Sequence, residues 1–219
     1  MRSRKMPDGS AFAPQYASIP HRDHTAELGM WVFIATEVLL FGGLILAYFI
    51  YRHAFPHGFV EGSRHTEIVI GTVNTAVLLT SSFLVAWAVE IFSPATSRIA
   101  TWLLMGAACL GLVFLVLKGI EYSKEYDAHL VPGIDFQSAG PLADGVQLFF
   151  ILYFIATAIH ALHVLIGICL LTTLATICRK APTTRHHTAL RSAALYWHFV
   201  DMVWIFLFAL IYLPGRSSS

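Results

Sequence analysis

Charged residues are scarce in this sequence of 219 residues: Asp, Glu, Lys and Arg together make up 12% of it, about half of the ~25% typical of soluble proteins. The formal net charge is only +1, so no strongly basic surface for nucleic acid is predicted. Apolar residues make up 57%, against about 45–50% in soluble domains. They occur in long blocks, which excludes a disordered chain and predicts a membrane protein.

Motifs for autonomous chemistry are also missing. The three cysteines, Cys109, Cys169 and Cys178, lie in apolar blocks without a CxxC or CxxCH motif, so no disulfide framework, zinc site or covalent haem is predicted. The sequence has no nucleophile elbow, P-loop or HExxH motif, and no catalysis by the chain alone is predicted. Residues 1–27 lack the apolar core of about 7–15 residues that a cleavable signal peptide has, so we interpret them as a polar tail.

Five apolar runs dominate the rest of the sequence. Their predicted bounds are 28–51, 68–91, 99–122, 146–178 and 193–213. Each run can cross ~30 Å of hydrocarbon at about 1.5 Å per helical residue, and lipid offers the backbone no hydrogen bonds, so each is predicted to be an α-helix. The sequence therefore predicts an all-α membrane protein, with one five-helix transmembrane domain over 28–213 between tails at 1–27 and 214–219.

Lys and Arg residues are distributed unevenly between the connections. With the N-terminus inside, nine of them fall on the inner side and five on the outer side. The positive-inside rule therefore predicts a cytoplasmic N-terminus and an external C-terminus. In this assignment Lys118 and Lys124 belong to an outer connection.

Two connections carry clusters of charge. The inner connection between the fourth and fifth runs is basic, either for reasons of topology alone or because it binds anionic lipid headgroups, at about 1 kcal/mol per basic residue. The outer connection between the third and fourth runs is acidic, and we interpret it as a solvated loop, with docking of a cationic soluble partner as the alternative. The members are Arg179, Lys180, Arg185, His186, His187 and Arg191 on the inner side, and Glu121, Glu125, Asp127, Asp135 and Asp144 on the outer side.

Five ionisable residues interrupt the apolar runs. They are Glu37, His160, His163, His198 and Asp201. An ionisable group near the bilayer centre costs on the order of 3 kcal/mol, so each one needs a partner or a path to water. Two interpretations of Glu37 are open: a protonated acid that bonds across a helix interface, or a carboxylate in a proton relay.

The other four form two pairs, each three residues apart and therefore on one helix face. His198 and Asp201 are predicted to bond to each other or to a neighbouring helix. His160 and His163 have the spacing of metal ligands, and two histidines on different helices can ligate haem b. Hydrogen bonding across helices is the favoured role, because no Cys or carboxylate completes a metal site.

Small residues in the runs predict close approach of the helices. They are Gly42 and Gly43 in the first run, Ala107 and Gly111 in the third, and Ala156, Ala161 and Gly167 in the fourth. The Thr, Ser and Asn residues of the second run are predicted to make hydrogen bonds between helices or within their own helix.

Several motifs resemble subunit III of the haem-copper cytochrome c oxidases. The stretch AALYWHFVDMVWIFLF begins at Ala193, and AIHALHVLIG at 158–167 precedes it. TEVLLFG at 36–42 resembles the buried-glutamate helix of that family, Glu121 and Tyr122 its E-Y motif, and Asp144 the start of its D-G motif. The matches occur in the family's order over most of the sequence.

The resemblance implies a non-catalytic core subunit of a bacterial terminal oxidase that reduces O2. Haem and copper would lie in partner subunits, with none on this chain, and the partners would be mainly subunit I, then subunit II, phospholipids and other respiratory complexes. The location would be the bacterial cytoplasmic membrane. The family's carbodiimide-reactive carboxylate corresponds to Glu37, and its headgroup-binding residues correspond to Arg179, Arg185, His186 and His187.

The sequence departs from the long form of that family, which has seven helices and holds lipid in a cleft between the first two and the other five. Five helices are typical of short subunits III of bacterial cytochrome c and quinol oxidases and of a protein associated with nitric-oxide reductase. We hypothesise that the missing pair is fused to subunit I. The rival classes are a haem b cytochrome that uses His160 or His163 with His198, and a stand-alone proton transporter built around Glu37, His160 and Asp201.

Overall fold

The computed structural model of the protein describes residues 19–133, 136, 140–180 and 184–216. This part of the chain contains six α-helices and no strand. They are α1 (Ile19–Ala54), α2 (Pro56–His65), α3 (Ile68–Ile91), α4 (Ser97–Asp127), α5 (Ala143–Lys180) and α6 (Thr184–Tyr212). All except α2 are long and apolar enough to cross a membrane, so the predicted class of a five-span helical membrane protein is confirmed.

Four of the long helices extend beyond the predicted runs. Helix α1 begins at Ile19, inside the predicted polar tail, and α4 continues to Asp127 rather than ending at residue 122. Helix α5 begins at Ala143, and α6 begins at Thr184 rather than at residue 193. Hydropathy marks the part of a helix that suits lipid, whereas the helical backbone continues through polar residues at the membrane surface.

The short helix α2 is absent from the predicted architecture. It begins with Pro56, a residue favoured in the first turn, and buries Gly58, Phe59 and Gly62 on one face. Gly58 packs so closely on the start of α5 that a Cβ atom there would lie 2.6 Å from Gly145 Cα. The sequence did not predict α2 because it has only ten residues and few of them are apolar, so it forms no long apolar run.

The C-terminal turn holds α2 against the bundle. Ser63 Oγ donates a hydrogen bond to Ile211 O at 2.7 Å and accepts one from the backbone N–H of Gly215 at 3.0 Å. Arg216 donates to Thr66 O at 3.3 Å. These bonds close the end of the bundle at which α6 terminates.

The tryptophans of α6 fill the interior between α3, α4 and α5. Trp197 lies against Gly167 of α5 and Gly111 of α4. A Cβ atom at Gly167 would lie 2.6 Å from the Trp197 ring, and one at Gly111 would lie 2.9 Å from it. The indole N–H of Trp197 donates to Ser81 Oγ, and that of Trp204 donates to Thr75 Oγ1, both at 3.1 Å. The small residues predicted in the third and fourth runs therefore do permit close packing.

Helix α1 lies at the edge of the bundle. Only 11% of its most apolar segment is buried, against 50% for α6. The predicted close approach at Gly42 and Gly43 is wrong within this chain, because a Cβ at either position would have no neighbour within 4 Å. The face that does pack inward carries Phe41 and Tyr48, which are 2% and 5% exposed.

Candidate functional site

Glu37 meets His163 across the interface between α1 and α5. Glu37 Oε2 lies 2.9 Å from His163 Nε2, and the two side chains are 14% and 10% exposed. The ring of Phe41 packs edge-on against the imidazole, with ring centroids 5.3 Å apart. The partner that the sequence required for Glu37 is thus a histidine 126 residues further along the chain.

The second nitrogen of His163 fixes the proton count of this pair. Nδ1 lies 2.8 Å from Ile159 O, and a carbonyl oxygen can only accept, so Nδ1 carries a hydrogen. Either protonated Glu37 donates to neutral Nε2, or the imidazolium donates to ionised Glu37. Both forms place one shared proton between the two groups and leave the pair neutral overall.

His160 points away from that pair, although it lies only three residues from His163. It is fully buried, with its ring 5.2 Å from that of Trp204 and 5.5 Å from that of Phe114. Neither ring nitrogen has a hydrogen-bond partner among the described residues. The two histidines therefore do not converge on a common site, and His163 keeps no free nitrogen for a haem iron.

His198 and Asp201 lie on α6. His198 Nδ1 is 2.5 Å from Ser82 Oγ on α3. Asp201 is 4% exposed, and neither of its carboxyl oxygens has a hydrogen-bond partner of normal geometry in the described part of the chain. Among the described residues, no group of three or more His, Cys, Asp or Glu side chains could hold a metal ion.

A second polar cluster lies in the interior of the bundle, at the end where α6 terminates. Lys118 Nζ donates to Glu121 Oε2 at 3.0 Å, to Tyr153 Oη at 3.0 Å and to Tyr212 Oη at 3.1 Å. Lys118, Glu121 and Glu125 are 3%, 0% and 4% exposed. We call these five residues, Lys118, Glu121, Glu125, Tyr153 and Tyr212, the lysine cluster.

This cluster corrects two sequence-based interpretations. Lys118 is not a charge of an outer connection, and Glu121 and Glu125 do not belong to a solvated loop, because α4 carries all three into the core. Asp127 and Asp144 are exposed, whereas Asp135 lies outside the described residues. The signal that could have revealed the cluster is the spacing of residues 118, 121 and 125, which is that of one helix face.

The basic connection is described only in part. Arg179 is exposed at the end of α5, and the ring of His187 lies 6.3 Å from that of Phe92. The side chains of Arg185 and His186 lie outside the described part. Beside this connection, a groove of about 490 Å³ is lined by Trp31, Arg191 and His198, among others.

That groove continues into an apolar one of about 450 Å³ between α1 and α6. The two share Trp31, Leu195 and His198, and Val38 and Met202 are among the residues that line the apolar part. A basic opening that leads into an apolar groove has the chemistry that an anionic amphiphile requires.

Comparison with known proteins places these features in a family. The family model described as "Cytochrome c oxidase subunit III" matches residues 17–216. The chain is 33% identical to cytochrome c oxidase subunit 3 of Thermostichus vulcanus over 95% of this chain and 96% of the relative. It is 32% identical to that of Synechocystis sp. over 84% of the chain and 74% of the relative.

A vertebrate relative shows the same similarity. The chain is 34% identical to cytochrome c oxidase subunit 3 of Petromyzon marinus over 85% of its own length and 69% of the relative. The family match extends from the middle of the N-terminal segment to the C-terminal turn that holds α2. The chain belongs to the cytochrome c oxidase subunit III family.

Proposed function

We propose that this chain is the non-catalytic subunit III of a bacterial oxidase and supports proton uptake by subunit I through the Glu37–His163 pair. Membership of the family makes the chain part of a haem-copper oxidase complex. The observation that carries the proposed role is the 2.9 Å contact between Glu37 and His163 at the edge of the bundle. Chains of Asp, Glu and His side chains within the membrane relay protons in pumps and transporters.

The position of the pair supports this role. Glu37 lies on α1, the least buried span, so only one helix separates its shared proton from whatever packs on the edge of the bundle. The outward face of α1 carries Leu39, Gly43, Leu46 and Ile50, which are all exposed in the isolated chain. A small residue on an apolar helix face lets another transmembrane helix approach closely, and we assign this face to subunit I.

The proposed orientation places the N-terminus in the cytoplasm. The burial of Lys118 strengthens the sequence argument, because only four Lys and Arg residues then remain in the outer connections against nine inside. The bacterial relatives support a bacterial cytoplasmic membrane. The name of these relatives, cytochrome c oxidase, supports cytochrome c as the electron donor of the complex, with a quinol oxidase as the alternative.

Phospholipid binding is the second proposed role. The two adjoining grooves combine Arg191, which can pair with a phosphate, with an apolar groove along α1 and α6 that suits an acyl chain. Arg179, Arg185, His186 and His187 remain proposed headgroup contacts. Replacing Arg191 by Gln should lower the amount of anionic phospholipid that mass spectrometry finds in the purified complex, and an unchanged lipid content would contradict this assignment.

The experiment for the protonic role uses the intact oxidase. Glu37→Gln removes the exchangeable proton and keeps the shape of the side chain. Glu90→Gln changes an exposed carboxyl near the end of α3 and serves as the matched control. Turnover is measured until the enzyme inactivates, and haem and copper are assayed in the same preparations.

We expect E37Q to shorten the active lifetime of the enzyme or to lower its turnover, by less than the ~100-fold minimum typical of losing a catalytic acid or base. Metal content should stay at the wild-type level, since no metal ligand is changed. E90Q should behave like the wild type. Loss of haem in E37Q, or equal behaviour of E37Q and E90Q, would contradict the proposal.

A further inference from the structure

The lysine cluster contains one cation and two carboxyl groups whose side chains are almost fully buried. All three N–H bonds of Lys118 are used, on Glu121, Tyr153 and Tyr212. Tyr212 accepts from Lys118, and its own hydroxyl donates a hydrogen bond to Glu121 Oε1 at 2.6 Å. Both oxygens of Glu121 therefore accept hydrogen bonds from donors, one of them cationic, which is the environment of an ionised carboxylate.

Glu125 receives no such support. Its carboxyl lies near Tyr153 and Lys118, yet neither oxygen makes a hydrogen bond of normal geometry among the described residues. The ammonium has no hydrogen left to donate to it. In the observed geometry an ionised Glu125 would thus be a buried carboxylate without a hydrogen-bond donor, which burial strongly disfavours.

The other charged groups around the cluster do not change this balance. On α4, Lys124 is half exposed and pairs at 3.2 Å with Glu67, which lies between α2 and α3, and Asp127 is exposed. On α5, His160 packs between aromatic rings and has no acceptor for a proton.

Tyr122 turns its hydroxyl to Thr157 at 2.5 Å, so it gives none to the cluster. Beyond α6, the Arg216 guanidinium donates to Thr66 O. Of these cations, Lys118 is therefore the one that acts on the two carboxyl groups.

We propose that the lysine cluster is a proton-binding site in which Glu125 is the proton carrier and Glu121 is the permanent counter-ion of Lys118. With one proton on Glu125 the cluster is neutral, and without it the cluster carries one uncompensated negative charge. Two residues further on, α4 ends at Asp127 among exposed side chains. The aqueous phase nearest to Glu125 is therefore at this end of the bundle, and we assign the exchange of its proton to that side.

This site is separate from the Glu37–His163 pair and does not depend on the function proposed for that pair. The phenol of Tyr153 accepts from Lys118, so its own hydroxyl hydrogen is free to turn towards Glu125. When the proton leaves, a rotation of this hydroxyl would give the ionised carboxyl a hydrogen bond that it lacks in the observed geometry. Tyr153 is a positioning residue in this scheme.

Infrared difference spectroscopy of the purified oxidase complex tests the assignment, because a protonated carboxylic acid has a C=O stretching band that an ionised carboxylate lacks. The spectra of wild type, Glu125→Gln and Glu121→Gln are compared at neutral pH. We expect one acid band to be lost in E125Q and kept in E121Q. The acid bands of other carboxyl groups cancel in the comparison.

Two results would overturn the proposal: an E125Q spectrum with the same acid bands as the wild type, or an acid band that E121Q also removes, since the proton would then belong to both carboxyls. If E121Q does not assemble, the comparison of E125Q with wild type still decides whether Glu125 holds a proton. Gln replaces a neutral acid at position 125 in this proposal. E125Q should therefore assemble at the wild-type level and unfold at a temperature close to that of the wild type.

Discussion

The Glu37–His163 pair and the lysine cluster are both buried acid–base contacts, but they are built differently. The pair joins the edge helix α1 to α5 with a single contact, and its side chains keep 14% and 10% of their surface exposed. The cluster joins α4, α5 and α6 with four hydrogen bonds around side chains that are almost fully enclosed. An edge contact suits proton exchange with a partner subunit, whereas the enclosed cluster fixes how the helices of this chain pack and can exchange its proton only at the end of the bundle where α4 terminates.

The largest effect is expected from breaking the ion pair of the lysine cluster. Lys118→Met leaves Glu121 without its cation, and removing one partner of a buried ion pair typically costs about 3–5 kcal/mol. The loss of stability is measured by adding denaturant to the complex and recording the fraction of this chain that remains bound. The double variant K118M/E121L should recover much of it, and a K118M variant as stable as the wild type would refute the enclosed character of the cluster.

Glycine substitutions compare the packing of the interior with that of the edge helix α1 and change no charged group. A Cβ at Gly167 would lie 2.6 Å from the Trp197 ring, and overpacking of this kind costs about 1–3 kcal/mol. Gly43 has no neighbour within 4 Å. The midpoint temperature of thermal unfolding, measured on the isolated chain in detergent, should therefore be lowered by Gly167→Ala and unchanged or raised by Gly43→Ala.

The Gly43 substitution also tests where subunit I packs on this chain. In the assembled oxidase, Gly43→Ala should weaken retention of subunit I if that subunit packs on the outer face of α1. Retention is measured by pull-down through a tag on this chain. Equal retention by G43A and wild type would move the proposed contact to another face.

Loss of the edge pair should affect stability less than loss of the cluster. His163→Phe keeps an aromatic ring beside Phe41 and removes the hydrogen bond to Glu37, a change that costs about 1–3 kcal/mol when one buried partner is left behind. The double variant H163F/E37L should be no less stable than H163F alone. A cost for H163F as large as that of K118M would erase the contrast between edge and interior.

The smallest effect is expected at the surface. Lys124 and Glu67 form an ion pair at 3.2 Å with side chains that are 53% and 48% exposed, and exposed pairs of this kind contribute about 0–1 kcal/mol. At moderate salt, the Lys124→Ala variant should therefore have a midpoint temperature of thermal unfolding close to that of the wild type. A marked loss would show that this pair belongs to the buried network.

The sequence predicted the edge site better than the interior one. Glu37 stands out because it interrupts an apolar run, and its need for a partner follows from the cost of burying it. The partner itself could not be named, because a histidine 126 residues away is brought close only by helix packing.

Counting charges places Lys118, Glu121 and Glu125 with an outer connection, since charges at the end of an apolar run usually mark the membrane surface. The structure continues α4 past them and covers them with tyrosines of α5 and α6. Helix α2 was not predicted from the sequence for a related reason. Its ten residues are mostly polar, and four of them are buried only because α5 and the C-terminal turn cover that face.

The proposed protonic role is tested most directly by the rate of proton uptake during a single turnover of the oxidase in vesicles, followed with a pH-indicator dye on the cytoplasmic side. Wild type, Glu37→Gln and His163→Phe are compared with the surface control Glu90→Gln. We expect both changes to the pair to slow uptake and the control to leave it unchanged. Uptake at the wild-type rate in E37Q and H163F would contradict a role of this pair in proton delivery.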